Sequence, residues 1–318
     1  MELVPCPLCG SSRYARLFQR RDLTHEVTDT AFDVVRCRAC SFVFVNPRPS
    51  PAEIGLYYPP DFYEVEATPQ SLLASKAETL AARVRVIGQL APGRLLDVGC
   101  QKGEFMWVMQ QRGWQVDGVE FSTLPPNVFD LPIFRGTLEE APYAPASFDL
   151  VTLWAVLEHV HDPVALLRSV RRLLKPAGRA FVLVPNFNSI PGRFLRHDDV
   201  PRHLVMFTKK TFAAAARHAD LRVIRHVFGD DIFSGSTRGT LNYLWKLLHG
   251  EALSEIVAQN RSAKRWNEFT GYAGGKPNRW MGVVDDLDMK LYPKLDRLVN
   301  ALHLGFIMTI ELTPAGAR

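Results

Sequence analysis

Four of the five cysteines fall in two C-x-x-C pairs, Cys6-Pro7-Leu8-Cys9 and Cys37-Arg38-Ala39-Cys40. Two tight turns of this kind, a few tens of residues apart, can present four thiolates to one tetrahedral zinc ion. Gly10 and Ser41, the small residues after each second cysteine, ease the turn. Disulfides are the weaker reading, because the amino terminus shows no basic segment followed by an apolar one and so suggests no export. A redox pair is weaker too, since neither C-x-x-C follows a strand and opens a helix. Four cysteines fill the coordination sphere, so the metal is expected to be structural. It would staple residues 1–50, a segment too small to build its own core.

A second stretch with chemistry in it is Arg94-Leu95-Leu96-Asp97-Val98-Gly99-Cys100-Gln101-Lys102-Gly103-Glu104-Phe105. An apolar strand runs into a turn with two glycines, and a helix follows with Phe105, Val108 and Met109 at helical spacing. Such a turn aims backbone N–H groups at a ligand. It is not the dinucleotide fingerprint, which needs G-x-G-x-x-G. Asp97 ends the strand. Glu120, about 20 residues after the turn and at the end of a second strand, Gln115–Glu120, can accept from two ribose hydroxyls. An acid in the first loop suits a ligand with a cationic amino group better than a pyrophosphate. That points to S-adenosylmethionine rather than NAD.

The elements that position these groups come from a chain of 318 residues, 47% apolar and 22% charged, a globular balance. No apolar run approaches the roughly 20 residues of a membrane span, and a cytoplasmic protein is expected. Net charge is +5 and the pI about 9.0. No long basic block exists, so the charge reads as solvated arginines more than as a nucleic-acid surface. After a short strand near 42–45, prolines at 47, 49 and 51 lead into a linker over 51–70. Its Tyr57, Tyr58, Phe62 and Tyr63 are expected to pack it onto the next domain. Leu72, Leu73, Ala77, Leu80, Val84 and Ile87 predict an amphipathic helix over 71–90.

In this order and spacing, several segments resemble the motifs of class I S-adenosylmethionine-dependent methyltransferases. Leu95–Phe105 resembles the first, D-x-G-x-G-x-G, and Gly118-Val119-Glu120-Phe121-Ser122 the second, ribose-binding one. Gly136–Pro142 and Ser147–Val151 resemble the adenine-side loop and the fourth strand; Leu157-Glu158-His159-Val160 and Leu173–Arg179 resemble the segments that follow. The cysteine pairs with Asn46-Pro47-Arg48-Pro49 resemble a subgroup that carries an N-terminal zinc ribbon.

The resemblance implies an α/β fold: a doubly wound, mostly parallel seven-stranded sheet built from residues 71–229 and 304–318, with 230–303 inserted before the last strand. It implies that Asp97, Gly99, Cys100 and Gly103 form the turn at the cofactor, Asp97 orienting the network near its amino group. Glu120 would bind the ribose, Phe121 cover the adenine, and Trp154 line the methionine end. Two positions depart from the pattern. Gln101 stands for the middle glycine of the first motif, and Thr137 for the adenine-loop acid. The Thr137 hydroxyl or the Leu138 backbone is then left to meet the adenine amino group.

An oxygen acceptor must lose a proton when it is methylated, so a general base helps. His159, just after the fourth strand, and His203, in Pro201–Thr208 after the fifth strand Arg179–Val184, are the candidate catalytic bases. For both, the alternative is a capping or solvated loop residue. Arg202 is a candidate anion contact. Thr208 is expected to cap a helix over 209–218. Residues 230–303, helical by pattern at 241–248 and 287–302, are expected to form a helical substrate lid. Their Trp245, Trp266, Tyr272 and Trp280 suit an apolar acceptor or a sugar face. Alternatively they form a homodimer surface.

The sequence thus reads as an enzyme that moves a methyl group from S-adenosylmethionine to a hydroxyl of a small-molecule metabolite or of a glycan or lipid precursor. Alternatives are an RNA methyltransferase whose ribbon holds the RNA, a C-methyltransferase, and a non-catalytic cofactor-binding module.

Overall fold

The computed structural model describes residues 1–22, 25–58, 68–122, 126–189, 199–229, 245, 248–250 and 279–316. Three strands come first, β1 (Tyr14–Arg21), β2 (Ala31–Cys37) and β3 (Val43–Val45), then two helices, α1 (Pro69–Ser75) and α2 (Ala77–Ile87). The chain continues through β4 (Arg94–Val98), α3 (Glu104–Gln110), β5 (Gln115–Glu120), β6 (Ile133–Arg135) and β7 (Phe148–Trp154). It goes on through α4 (Pro163–Leu173), β8 (Leu174–Pro185), β9 (Val205–Met206) and α5 (Lys209–His218). It ends with β10 (Leu221–Phe228), α6 (Arg279–Ala301) and β11 (Ile307–Pro314).

Seven strands form one sheet in the order β10-β11-β8-β7-β4-β5-β6. β4 pairs in parallel with both β5 and β7, and β11 enters antiparallel between β8 and β10. The doubly wound sheet expected from the sequence is therefore present. The strand order reverses at β4, and the crevice beyond the carboxyl ends of the strands at such a point is where open α/β sheets take ligands. Adjacent residues face opposite cores. Leu95 and Leu150 pack with Leu80 of α2 and Phe105 of α3; Leu96 and Val151 pack with Leu167 of α4 and Phe212 of α5. Covered on both faces, β7 from Leu150 onward and β8 over Ala180–Val184 are mostly apolar.

The helix expected over 71–90 is two helices. Lys76 leaves helical geometry (φ −110°, ψ 11°), and its ammonium pairs with the buried Glu104. The fifth strand, expected from Arg179, starts at Leu174, because Leu174 already pairs with Phe148 of β7. Thr208 and Thr211 form the expected cap of α5, each hydroxyl accepting from the other's backbone N–H.

β1, β2 and β3 form an antiparallel sheet whose fourth strand is β9, from the loop after β8. Cys6, Leu8, Cys37 and Phe42 are buried in the same cluster as Leu204, Phe207 and Phe212. The ribbon is thus packed against the α/β core. Within the insertion, α6 contains nearly all of the helix expected at 287–302 and begins earlier, at Arg279. The expected helix at 241–248 lies largely outside the described residues. Phe62, Tyr63, Trp266, Tyr272 and the Trp280 side chain lie outside them too. Among the described residues no helix is long and apolar enough to cross a membrane.

Candidate cofactor and acceptor site

β4 delivers Asp97 to the crevice, then turns through Gly99 (φ +72°) and Gly103 (φ +87°) into α3. Both lie in the left-handed region that glycine enters without steric cost. Gln101 follows the turn at φ +50°, so the missing glycine is replaced by a residue held in a costlier conformation. Its N–H donates to Glu120 Oε2 at 2.8 Å, and Ser122 N–H donates to Oε1 at 2.9 Å. Burial pushes the Glu120 pKa up, against the pull of these amides. The Cys100 thiol turns under β5, where a Cβ on Gly118 would stand 2.7 Å from its Sγ. Burial raises that thiol's pKa as well. Only the Cys100 backbone remains with the turn, its amide donating to Val119 O.

Asp97 Oδ1 accepts from Thr152 Oγ1 at 2.6 Å. Burial lifts Asp97 to about 7; Thr152 and Arg83 oppose the rise, and Glu104 and Glu120 add to it. Trp154 packs edge-on to Phe105, and the Arg83 guanidinium of α2 lies 5.2 Å from the centre of its ring. Arg83 Nε, Trp154 Nε1 and Glu104 Oε2 are buried with no hydrogen-bond partner among the described residues. Buried polar atoms are rarely left so. A cation, an indole donor and two carboxylates at one crevice match a zwitterionic amino-acid group: a carboxylate toward Arg83, an ammonium toward Asp97 and Glu104. Arg83 escaped the sequence reading because it sits on a helix as one arginine among several.

Phe121 follows Glu120 at the rim with 72% of its surface exposed, and Leu138 is buried. Thr137 N and Oγ1 both donate to Glu140 Oε2 at 2.9 Å, and these donors hold Glu140 below the usual carboxylate range. An acid thus stands beside the position where the motif lost one.

Past β7 the chain brings His203 up to the adjacent pair Glu158 and His159. The His159 and His203 rings meet edge to face, centroids 4.7 Å apart. Glu158, His159 and His203 each bring an oxygen or ring nitrogen within 4.8 Å of the others. Burial raises Glu158 to about 8, and neither of its oxygens has a partner among the described residues. Burial, aided by His203, drives His159 to about 3, so its ring is neutral near pH 7. His159 Nδ1 lies 3.0 Å from Tyr58 Oη and 3.2 Å from Arg202 O. His203 Nε2 is 3.1 Å from Asp199 Oδ2.

Arg202, expected as an anion contact, is instead wholly buried. Its Nη atoms bond both oxygens of Asp22, its Nε bonds Asp199 Oδ1, and Nη1 also donates to Tyr57 O. Two internal carboxylates and one carbonyl already hold the guanidinium.

The four Sγ atoms of Cys6, Cys9, Cys37 and Cys40 all lie within 4.8 Å of one another. Gly10 (φ +73°) and Ser41 (φ +66°) take the left-handed turn, and their amides return to Cys6 O and Cys37 O. Burial opposes a thiolate at Cys37, but the Cys40 and Ala39 amides bring it down to about 7, while burial lifts Cys40 to about 11.

A sheet that reverses at β4, a glycine turn above Asp97 and a carboxylate ending β5 define the Rossmann-like core of a cofactor-binding methyltransferase. Residues 70–226, just under half of the chain, match the family model for the methyltransferase domain. The chain is similar to the ubiquinone biosynthesis O-methyltransferase of Stutzerimonas stutzeri (strain A1501), 36% identical over 109 residues, 31% of this chain and 47% of that protein. The enzyme of the same name from Paracidovorax citrulli (strain AAC00-1) is 34% identical over 121 residues, 34% of this chain and 51% of that one. The chain therefore spans about half the length of the curated relatives it matches. A crystal structure of a SAM-dependent methyltransferase from Archaeoglobus fulgidus overlaps 74% of this chain and 93% of its own, at 14% identity and a TM-score of 0.46.

Proposed function

We propose that the chain transfers a methyl group from S-adenosylmethionine to a hydroxyl oxygen of a small-molecule metabolite or of a glycan or lipid precursor, with His203 as the base. The observation that carries this is the pair of imidazoles at the rim of the cofactor crevice, one of them held by a carboxylate. The relatives named as O-methyltransferases support oxygen as the acceptor atom.

Arg83 would hold the cofactor's carboxylate, Asp97 and Glu104 its ammonium, and Glu120 its ribose. Phe121 and the Thr137–Leu138 backbone would meet the adenine, and Trp154 would wall the methionine end. S-adenosylmethionine, when bound, supplies an electrophilic methyl group on a sulfonium. Asp199 Oδ2 lies 3.1 Å from His203 Nε2, and the imidazole it orients would take the acceptor's hydroxyl proton. Asp199 then stabilises the imidazolium, as a carboxylate behind a histidine base does. His159, kept neutral by burial, adds no opposing charge. Holding the acceptor in line contributes the rest.

The four cysteines would hold one structural zinc ion. A tetrahedron with Zn–S bonds of about 2.3 Å has S···S edges of about 3.8 Å, close to the 3.5 Å of Cys6–Cys40 and the 3.6 Å of Cys9–Cys37. On this reading residues 1–50 are a zinc ribbon, 71–229 with 304–318 the catalytic core, and 230–303 the substrate lid of a cytoplasmic enzyme.

The test is transfer of labelled methyl from S-adenosylmethionine into an extract separated into nucleic-acid, protein, lipid–glycan and small-molecule pools. Label is expected in the small-molecule or lipid–glycan pool. It should be abolished by Gly99→Arg and lowered about 100-fold or more by His203→Gln. Label in the RNA pool overturns the acceptor class, and undiminished transfer by His203→Gln overturns the base.

A further inference from the structure

We infer, taking His203 as the base read above, that the amino-terminal ribbon positions it: Asp22 holds Arg202, Arg202 holds Asp199, and Asp199 fixes His203.

Each link is short; the Asp22–Arg202 pair is fully buried, and Asp199 and His203 are each 24% exposed. Asp22, directly after β1, is 1% exposed, and its two oxygens also accept from the His25 and Val27 amides. The pairing with Arg202 is bidentate, at 2.8 and 3.2 Å. Arg202 then turns its remaining edge, Nε, to Asp199 at 2.8 Å. The second oxygen of Asp199 meets His203 Nε2 at 3.1 Å. A planar guanidinium offers donors in a fixed fork, so two carboxylates gripped at once leave it a single orientation. A flexible ammonium would not transmit the placement of one carboxylate to the other.

The backbone tightens the same joint. Val45 of β3 donates to Leu204 O, and Leu204 donates to Glu158 O, so the residue after His203 is pinned between ribbon and core. Tyr58, which follows the ribbon, places its hydroxyl on His159. Among the described residues, the charged and titratable groups near His203 include Asp199, Arg202, Glu158, His159 and Tyr58, with Asp22 behind Arg202. Two carboxylates against one guanidinium leave surplus negative charge on the side of His203, which favours the imidazolium formed when the ring takes a proton.

The experiment follows the His203 ring proton by NMR across pH in the zinc-loaded full chain, its signal assigned by its loss in His203→Gln. Asp22→Asn removes one negative charge and one grip on Arg202 at nearly constant volume. The His203 midpoint is expected to fall by about half a pH unit or more, and to fall likewise in Asp199→Asn. Arg16→Gln, which breaks only the exposed ribbon pair with Asp33, should leave it in place. A midpoint unmoved by Asp22→Asn and Asp199→Asn overturns the inference. Should Asp22→Asn fail to fold, the wild-type Arg202 guanidinium gives the second measurement. Separate, slowly exchanging Nη–H signals support the clamp, and one averaged signal overturns it. If His203→Gln keeps full turnover while the midpoint still shifts, the base assignment falls and the clamp stands.

Discussion

Gly99, at the end of β4, and Val156, just beyond β7, approach so closely that a Cβ on the glycine would stand 2.5 Å from Val156 Cγ2. The turn that faces the cofactor is thereby locked to the strand that leads to the histidines. Gly99→Ala is expected to weaken S-adenosylmethionine binding about tenfold or more, read by calorimetry, from the clash together with the positive φ. Adding Val156→Ala should restore only the steric share, because the φ of +72° remains. Full restoration by the double variant would show that the backbone conformation costs nothing.

Glu120 gives up no backbone donor lightly, since its two oxygens hold the Gln101 and Ser122 amides. Glu120→Gln keeps the shape and loses the charge. Cofactor affinity should fall by about 10- to 100-fold, the range set by roughly 1.5–3 kcal/mol for a hydrogen bond to a charged group. The melting temperature without cofactor should change much less, and affinity unchanged by the substitution would remove Glu120 from the ribose site.

Asp22→Ala leaves Arg202 buried with half its carboxylates. Loss of one partner of a buried ion pair costs about 3–5 kcal/mol, measurable in denaturant. Burial opposes ionisation of Asp22, but Arg202 and the two amides hold its pKa below the ordinary 3.8. Its contribution is therefore complete above about pH 4 and is lost as pH falls through the folded-state value. The stability gap between wild type and Asp22→Ala should narrow in acid; a gap independent of pH would deny the ion pair its role.

Glu158 carries the opposite sign. Its folded-state value of about 8 lies above the ordinary 4.5, so at pH 6 the folded chain binds a proton that the unfolded chain has released. Stability must then decline as pH rises between these two values. Glu158→Gln, neutral throughout, should flatten that decline when unfolding midpoints are compared at pH 5 and pH 8. Equal slopes in the two proteins would mean that Glu158 is ionised in the folded chain.

One zinc per chain is expected by elemental analysis, and Cys9→Ser should lose most of it. Because β9 closes the ribbon sheet, metal loss is expected to lower the stability of the α/β core as well as of residues 1–50. A core melting transition unaffected by chelation would make the ribbon independent.

Much of this site was legible in the sequence because its signals are local. The cysteine turns, the Gly99–Gly103 turn and the Glu120 offset are patterns a few residues long or at a set spacing. In the structure Gly10 and Ser41 both take positive φ in the cysteine turns, and Gly99 and Gly103 in the turn after β4. The seven-stranded, doubly wound sheet followed from the resemblance of the motifs, and helix α5 from its Thr208 cap. The tertiary structure alone decided the rest. That Arg83 reaches Trp154, that His159 and His203 touch, and that Arg202 answers Asp22 across 180 positions depend on which distant segments pack together. Spacing along a chain says nothing of that. The protonation of Glu158 and the neutrality of His159 follow from burial, and burial belongs to the folded chain: a carboxyl or imidazole has its ordinary pKa until the surrounding water has been removed.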